Sequence, residues 1–270
     1  MKKNNHWLNI YSVLVILNSI SFTNISYAVE IPFAYSGDNN AANWGNLTPE
    51  WAECSGASIE ARQSPVNIHH VKIDTSLKPL YLTTYPTDIN IFNNGHTIEQ
   101  EYEDTGSHIY FEGTEYELKQ FHFHTLSEHA INKKRGAIEM HAVFNEPVNH
   151  KNLVMSVIYE LGRRKNHFIQ TLIDVGLPKK NGDSTESERH INLADGFTDT
   201  SSYYTYSGSL TTPPCTGNVT WVVLKKIAKL SWNQWVSFRD ILGNNFRPLQ
   251  EINGRTIRST SRKHHEKHHH

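Results

Sequence analysis

Five residues, Gln120-Phe121-His122-Phe123-His124, constrain this chain more than any other stretch. Read as a strand, they alternate between faces, so Gln120, His122 and His124 point one way while Phe121 and Phe123 point into a core. The segment at 138–144 carries the same pattern, with Glu139, His141 and Val143 on one face. Three imidazoles from two strands can fill three corners of a zinc tetrahedron and leave the fourth to water, the arrangement of a catalytic rather than a structural site. Parity alone leaves structurally satisfied histidines as the alternative. Gln120 and Glu139 each precede a candidate ligand by two residues on the same face, where a metal-bound imidazole needs a partner for its other ring N–H.

The rest of the chain supplies a frame of the same kind. Short β-branched or aromatic runs at 97–102, 108–111, 116–125, 138–144, 153–161 and 218–224 predict strands, several beside turn residues such as Asn93-Asn94-Gly95 or Glu112-Gly113. The best helix pattern is 232–242, where Ser231 can cap, Gln234 completes a capping box and Gly243 ends the run; a second, 168–175, is stopped by Gly176 and Pro178. The class that follows is mostly β with a few short peripheral helices. No linker or repeat interrupts 29–259, so one domain is expected there.

The ends read differently. Lys2 and Lys3, an apolar stretch from Trp7 to Ile20 and Ser26-Tyr27-Ala28 make residues 1–28 a signal peptide, too short and too interrupted for the roughly 20 apolar residues of a membrane span. Export would let Cys54 and Cys215, the only cysteines, form one disulfide; without it they would be two buried thiols. Residues 260–270, with His264, His265, His268, His269 and His270, are expected to be a disordered His-rich tail. A formal net charge of -1 and the lack of a long Lys/Arg run argue against nucleic acid or an anionic membrane as partner once the signal peptide is cleaved. A small or neutral substrate fits better.

The motifs Gln120-Phe121-His122-Phe123-His124, Ser127-Glu128-His129, Glu139-Met140-His141 and Ser209-Leu210-Thr211-Thr212-Pro213-Pro214 resemble the alpha carbonic anhydrases in order, spacing and identity. The resemblance runs from Arg62-Gln63-Ser64-Pro65-Val66-Asn67-Ile68 through Asn93-Asn94-Gly95-His96 to Val219-Thr220-Trp221 and Phe246-Arg247-Pro248-Leu249-Gln250. It implies a large, mainly antiparallel twisted central sheet with Zn2+ at the base of a funnel. It also implies reversible hydration of carbon dioxide to bicarbonate by zinc-bound hydroxide, for which carbonic anhydrases are the reference case.

By the same resemblance His122, His124 and His141 hold the metal, with Gln120, Glu139 and the backbone carbonyl of Asn245 behind them. Thr211 and Glu128 orient the attacking oxygen. His96 shuttles the proton, with Tyr35, Asn94 and Thr212 on the water chain. Val143, Val154, Leu210, Val219 and Trp221 wall the substrate pocket, with Thr212 at its edge. The pair Cys54 and Cys215 looks like the disulfide of bacterial members. The resemblance implies inhibition by sulfonamides and anions and a periplasmic location in a Gram-negative bacterium, and it admits a homodimer.

Two positions depart from the pattern. Phe33-Ala34-Tyr35-Ser36 matches it loosely, and Glu99 stands where a neutral amide is expected, which predicts a carboxylate that raises the pKa of His96. The alternative from another class is a zinc-binding surface protein of the same fold with weak turnover. The His-rich tail favours it; the complete set of His122, His124, His141, Thr211 and Glu128 opposes it.

Overall fold

In the computed structural model, which describes residues 32–261 apart from 57–61, 103–104 and 198, the alternating segments form the middle of a 13-stranded twisted sheet. The main path runs Ser184–Ile191, Thr87–Asn93, Ile98–Glu101, Thr114–His124, Ile138–Asn145, Asn152–Gly162, Val219–Leu224, Tyr203–Gly208, Arg258–Ser259, Lys72–Ile73. Most pairs are antiparallel, whereas Asn152–Gly162 runs parallel to both Val219–Leu224 and Ala228–Ser231. The fold is therefore mostly β, as expected, with mixed pairing at the centre. The expected signal peptide and the histidines from His264 onward lie outside the described residues.

The central strands bury both faces, and the two are filled differently. On one face Phe121, Phe123, Met140, Phe144, Met155 and Tyr159 make the main core, covered by helices His167–Val175 and Trp232–Leu242. Phe238 from the second helix meets Phe123 with ring centroids 4.8 Å apart. The helices start for local reasons. Asn166 accepts the Ile169 N–H, and Ser231 with Gln234 forms the predicted capping box, each cap worth about 1 kcal/mol. The other face holds a smaller apolar cluster of Val154, Ile158, Tyr206, Val219, Trp221 and Val223, beside the buried polar residues His124, Glu128, Glu139 and His141.

Alternation does not run unbroken through Thr114–His124. Tyr116 and Leu118 belong to the same core as Phe121 and Phe123, although their parity in a regular strand is that of the histidines. A register shift against Ile138–Asn145 between Leu118 and Gln120 inserts the extra residue and re-aims the end of the strand. Only beyond that bulge do Gln120, His122 and His124 share the face away from the main core.

Thr260, the first residue of the expected tail, is held by the sheet. Arg258–Ser259 pairs with Tyr203–Gly208, the Thr260 N–H donates to Tyr203 O at 3.1 Å, and Thr260 is buried. Backbone pairing holds this segment, and polar composition does not reveal it. Cys54 and Cys215 are bonded across 161 residues of sequence, tying the turn Pro49–Ser55 to the loop that follows Thr211.

Candidate metal centre

A neutral imidazole offers a metal one ring nitrogen only if the other keeps the proton, so the partner of each N–H decides the ligand atom. His122 Nδ1 donates to Gln120 Oε1 at 2.8 Å, His124 Nδ1 to the Asn245 carbonyl at 2.7 Å, and His141 Nε2 to Glu139 Oε1 at 2.8 Å. That leaves His122 Nε2, His124 Nε2 and His141 Nδ1. One ligand atom from each of the three residues lies within 4.8 Å of the others. The strands supply this convergence directly, because His122 and His141 are opposite each other in register.

Electrostatics keep the three rings neutral. Burial, then the neighbouring rings His124 and His141, hold His122 well below the usual imidazole range. Burial pulls His124 down to about 4, and burial also lowers His141 against the opposing pull of Glu139. His124 Nε2 is moreover buried without a hydrogen-bond partner, as is Glu128 Oε2, 3.6 Å from it. An orphaned nitrogen beside an orphaned carboxylate oxygen is costly in a protein interior and suits a cation. Three imidazole nitrogens are a donor set for a first-row dication such as zinc, and the residues fit it.

Around the three histidines, Glu139 does more than the sequence suggested. Burial pushes its carboxyl up, yet its interactions with the His129 and His141 rings, hydrogen bonds from both among them, outweigh this and hold it well below the usual range. Its Oε1 accepts from His141, from His129 Nδ1 at 2.7 Å and from Ser156 Oγ at 2.6 Å, and its Oε2 accepts the His129 backbone N–H. His129 Nε2 meets the Tyr206 hydroxyl at 2.6 Å, which in turn meets Ser64 Oγ. The sequence reading missed Ser156 and Tyr206. Ser156 had a visible signal, a lone hydroxyl inside the apolar run Val154-Met155-Ser156-Val157-Ile158 with the parity of Val154.

Glu128 is fully buried, and burial raises its carboxyl; His141, the Arg247 backbone N–H and the Thr211 hydroxyl pull the other way. Arg247 N donates to Glu128 Oε1 at 2.8 Å, while its guanidinium donates to Gln63 Oε1, Ser64 O and Cys54 O, each at 2.8 Å. The motif around Arg247 is thus a brace between Glu128 and the disulfide. Asn245 is a second brace. Besides holding His124 through its carbonyl, its side chain accepts the Thr125 N–H and donates to His96 O and Phe123 O.

The predicted apolar wall assembles: Val154 is opposite Val143 on one side and Trp221 on the other, with Val219 and Leu210 in the same cluster. Thr212 lies in the turn at the edge, its carbonyl accepting from Cys215 N. His96 follows the expected turn, where Gly95 at φ +84 leaves room against Asn181 that a Cβ would fill. Asn94 Oδ1 accepts the N–H groups of His96 and Thr97, so that end of the amide is committed to the turn rather than to water. The Phe33 ring stacks on His96 with centroids 3.7 Å apart, and the Tyr35 hydroxyl is buried without a hydrogen-bond partner. Glu99 faces the same side as His122, and its Oε2 accepts from Gln120 Nε2 at 3.1 Å.

Comparison with known proteins agrees with this architecture. A family model described as eukaryotic-type carbonic anhydrase matches residues 39–261. Alpha carbonic anhydrase 5 of Arabidopsis thaliana is 33% identical over 258 residues, spanning 91% of this chain and 90% of that protein. Carbonic anhydrase of Neisseria gonorrhoeae is 32% identical over 247 residues, spanning 91% and 95%. The alpha-carbonic anhydrase from Thermovibrio ammonificans, solved in complex with the inhibitor sulfanilamide, superposes with a TM-score of 0.79 at 32% identity, covering 84% of this chain and 99% of that one.

Proposed function

The chain belongs to the alpha carbonic anhydrase family, and on that premise we propose that it catalyses the reversible hydration of carbon dioxide to bicarbonate and a proton, with zinc held by His122, His124 and His141. One observation carries the reading: each of the three rings commits one nitrogen to a fixed acceptor and turns the other to a common point. When bound there, the metal supplies Lewis acidity that brings the ionisation of water into the neutral range, a behaviour for which this family is the reference case.

The chain's own residues do the rest. Gln120, Asn245 and Glu139 fix the tautomers of the three rings. Thr211 accepts a hydrogen bond from the attacking oxygen and donates its own proton to Glu128, whose free Oε2 is aimed into the site, so the oxygen's lone pair is turned toward carbon. Val143, Val154, Leu210, Val219 and Trp221 offer an apolar wall to a substrate without a dipole and exclude competing water. His96 relays the product proton through its imidazole, with Tyr35 and the amide nitrogen of Asn94 on its path. The disulfide supports an oxidising compartment, and with residues 1–28 read as a cleaved signal peptide it supports a periplasmic enzyme. The sulfanilamide complex of the Thermovibrio protein supports sulfonamide inhibition here.

A stopped-flow assay of carbon dioxide hydration, with and without a sulfonamide, tests the reading. Turnover that requires about one zinc per chain after removal of the terminal histidines, and that the sulfonamide blocks, is expected. Full activity with His122, His124 or His141 replaced would end it. Tight zinc without turnover would favour the weakly active zinc-binding surface protein instead.

A further inference from the structure

An amide side chain can face a neighbour with its oxygen or its NH2, and the choice decides which nitrogen of an adjacent histidine carries the proton. For His122 that choice belongs to Gln120, whose Oε1 accepts from Nδ1 and leaves Nε2 its lone pair. The reverse orientation would make Gln120 Nε2 donate to Nδ1, move the ring proton to Nε2 and remove a ligand. Behind Gln120 stands Glu99, opposite His122 in the register between Ile98–Glu101 and Thr114–His124, with its Oε2 3.1 Å from Gln120 Nε2.

We infer that Glu99 is a positioning residue that fixes the orientation of the Gln120 amide and, through it, the tautomer of His122. An ionised carboxylate only accepts, so it admits one polarity: Gln120 turns its NH2 to Glu99 and its oxygen to His122. A neutral amide at position 99 would accept or donate and so admit both polarities. A side chain without an acceptor would leave Gln120 to solvent. The inference rests on His122 being a ligand, but its consequence is a property of the metal-free protein.

The test uses the folded chain stripped of metal, with 15N-labelled histidine, at about pH 8.5, where Glu99, pushed up to about 7 by burial and then by Glu101, is ionised. Long-range proton–nitrogen couplings report which ring nitrogen is protonated. Wild type is expected to show a single Nδ1–H tautomer at His122. The isosteric Glu99→Gln and the acceptor-free Glu99→Leu are expected to show mixed tautomers, with zinc dissociation constants raised about tenfold, the lower end of the range for partners behind a ligand. His124, whose proton is held by a backbone carbonyl, is the internal control and is expected to keep one tautomer in all three proteins. An unchanged His122 tautomer in both variants overturns the inference even if zinc binds more weakly, because the loss would then come from packing or charge. Failure of wild type to bind zinc would overturn the ligand reading, and the tautomers would still decide the role of Glu99.

Discussion

Phe123 and His124 are consecutive residues of one strand, both almost fully buried, and different physics holds them. Phe123 faces hydrocarbon, including Phe238, and is stabilised by volume and contact that no single atom controls. His124 faces a polar interior in which each atom needs a named partner, and one of its nitrogens has none. The helix-covered face therefore stabilises the fold, while the site face holds groups in readiness at some cost to it. Stability should respond mainly to changes on the first face, and metal and turnover mainly to changes on the second.

The largest expected effects test that division directly. His141→Ala should lower hydration activity by more than about 100-fold, beyond the range of residues behind a ligand, and remove most zinc while leaving the domain folded. Phe123→Ala should cost about 3–5 kcal/mol in denaturant unfolding yet leave about one zinc per folded chain. Equal destabilisation by both, or loss of zinc from folded Phe123→Ala, would break the comparison. Reduction of the Cys54–Cys215 bond should be of the same order, about 5 kcal/mol in the chain-entropy estimate, with a smaller fractional loss of room-temperature activity. Two titratable thiols in native exported protein would contradict it.

Acid sharpens the contrast, because only the site face titrates. The unfolded chain takes up a proton at His124 near its ordinary 6.5, whereas the folded chain resists until about 4. Stability of the metal-free protein should thus be nearly flat above about pH 7 and fall as pH drops from 6.5 toward 4, by on the order of 3 kcal/mol from this ring. His122 and His141, also held down, and Glu139 add to the loss, while Glu128 and Glu99, both held up by burial and Glu99 to about 7, oppose it. In Glu99→Gln, which removes the opposing Glu99 carboxyl, unfolding midpoints independent of pH across that window would show that the rings are not held neutral. The smallest effects concern the relay. His96→Ala should slow turnover about tenfold or more in weak buffer, with zinc content unchanged and much of the rate restored by imidazole. Phe33→Ala, which removes a stack worth about 0.5–1.5 kcal/mol, should change the same rate by less than that.

Much of this was legible in advance where local chemistry decides it. The capping box at Ser231 and Gln234 predicted the helix Trp232–Leu242 to the residue, since a cap depends on neighbours in sequence. His108–Phe111 was read with its observed bounds, and the central strands to within two residues at each end. Ser184–Ile191 was not foreseen, because an edge strand of mostly polar, exposed residues has no alternating pattern to read. Thr87–Asn93 and Tyr203–Gly208 were missed as well, although both are internal strands.

At the site, the sequence by itself determined which side chains could bind a metal, because His122, His124 and His141 with Gln120 and Glu139 behind them are a matter of residue type and short spacing. The tertiary structure decided what those residues are bonded to. Parity placed Tyr116 and Leu118 with the histidines until the bulge before Gln120 moved them into the core. The partners that make the site specific come from far along the chain: Ser156 and Tyr206 around Glu139, Asn245 joining His124 to His96, and Arg247 tying Glu128 to the disulfide. Alternation is a property of the backbone and is written locally. Satisfying a buried polar atom depends on whichever distant strand or loop closes over it, and that is settled only when the chain folds.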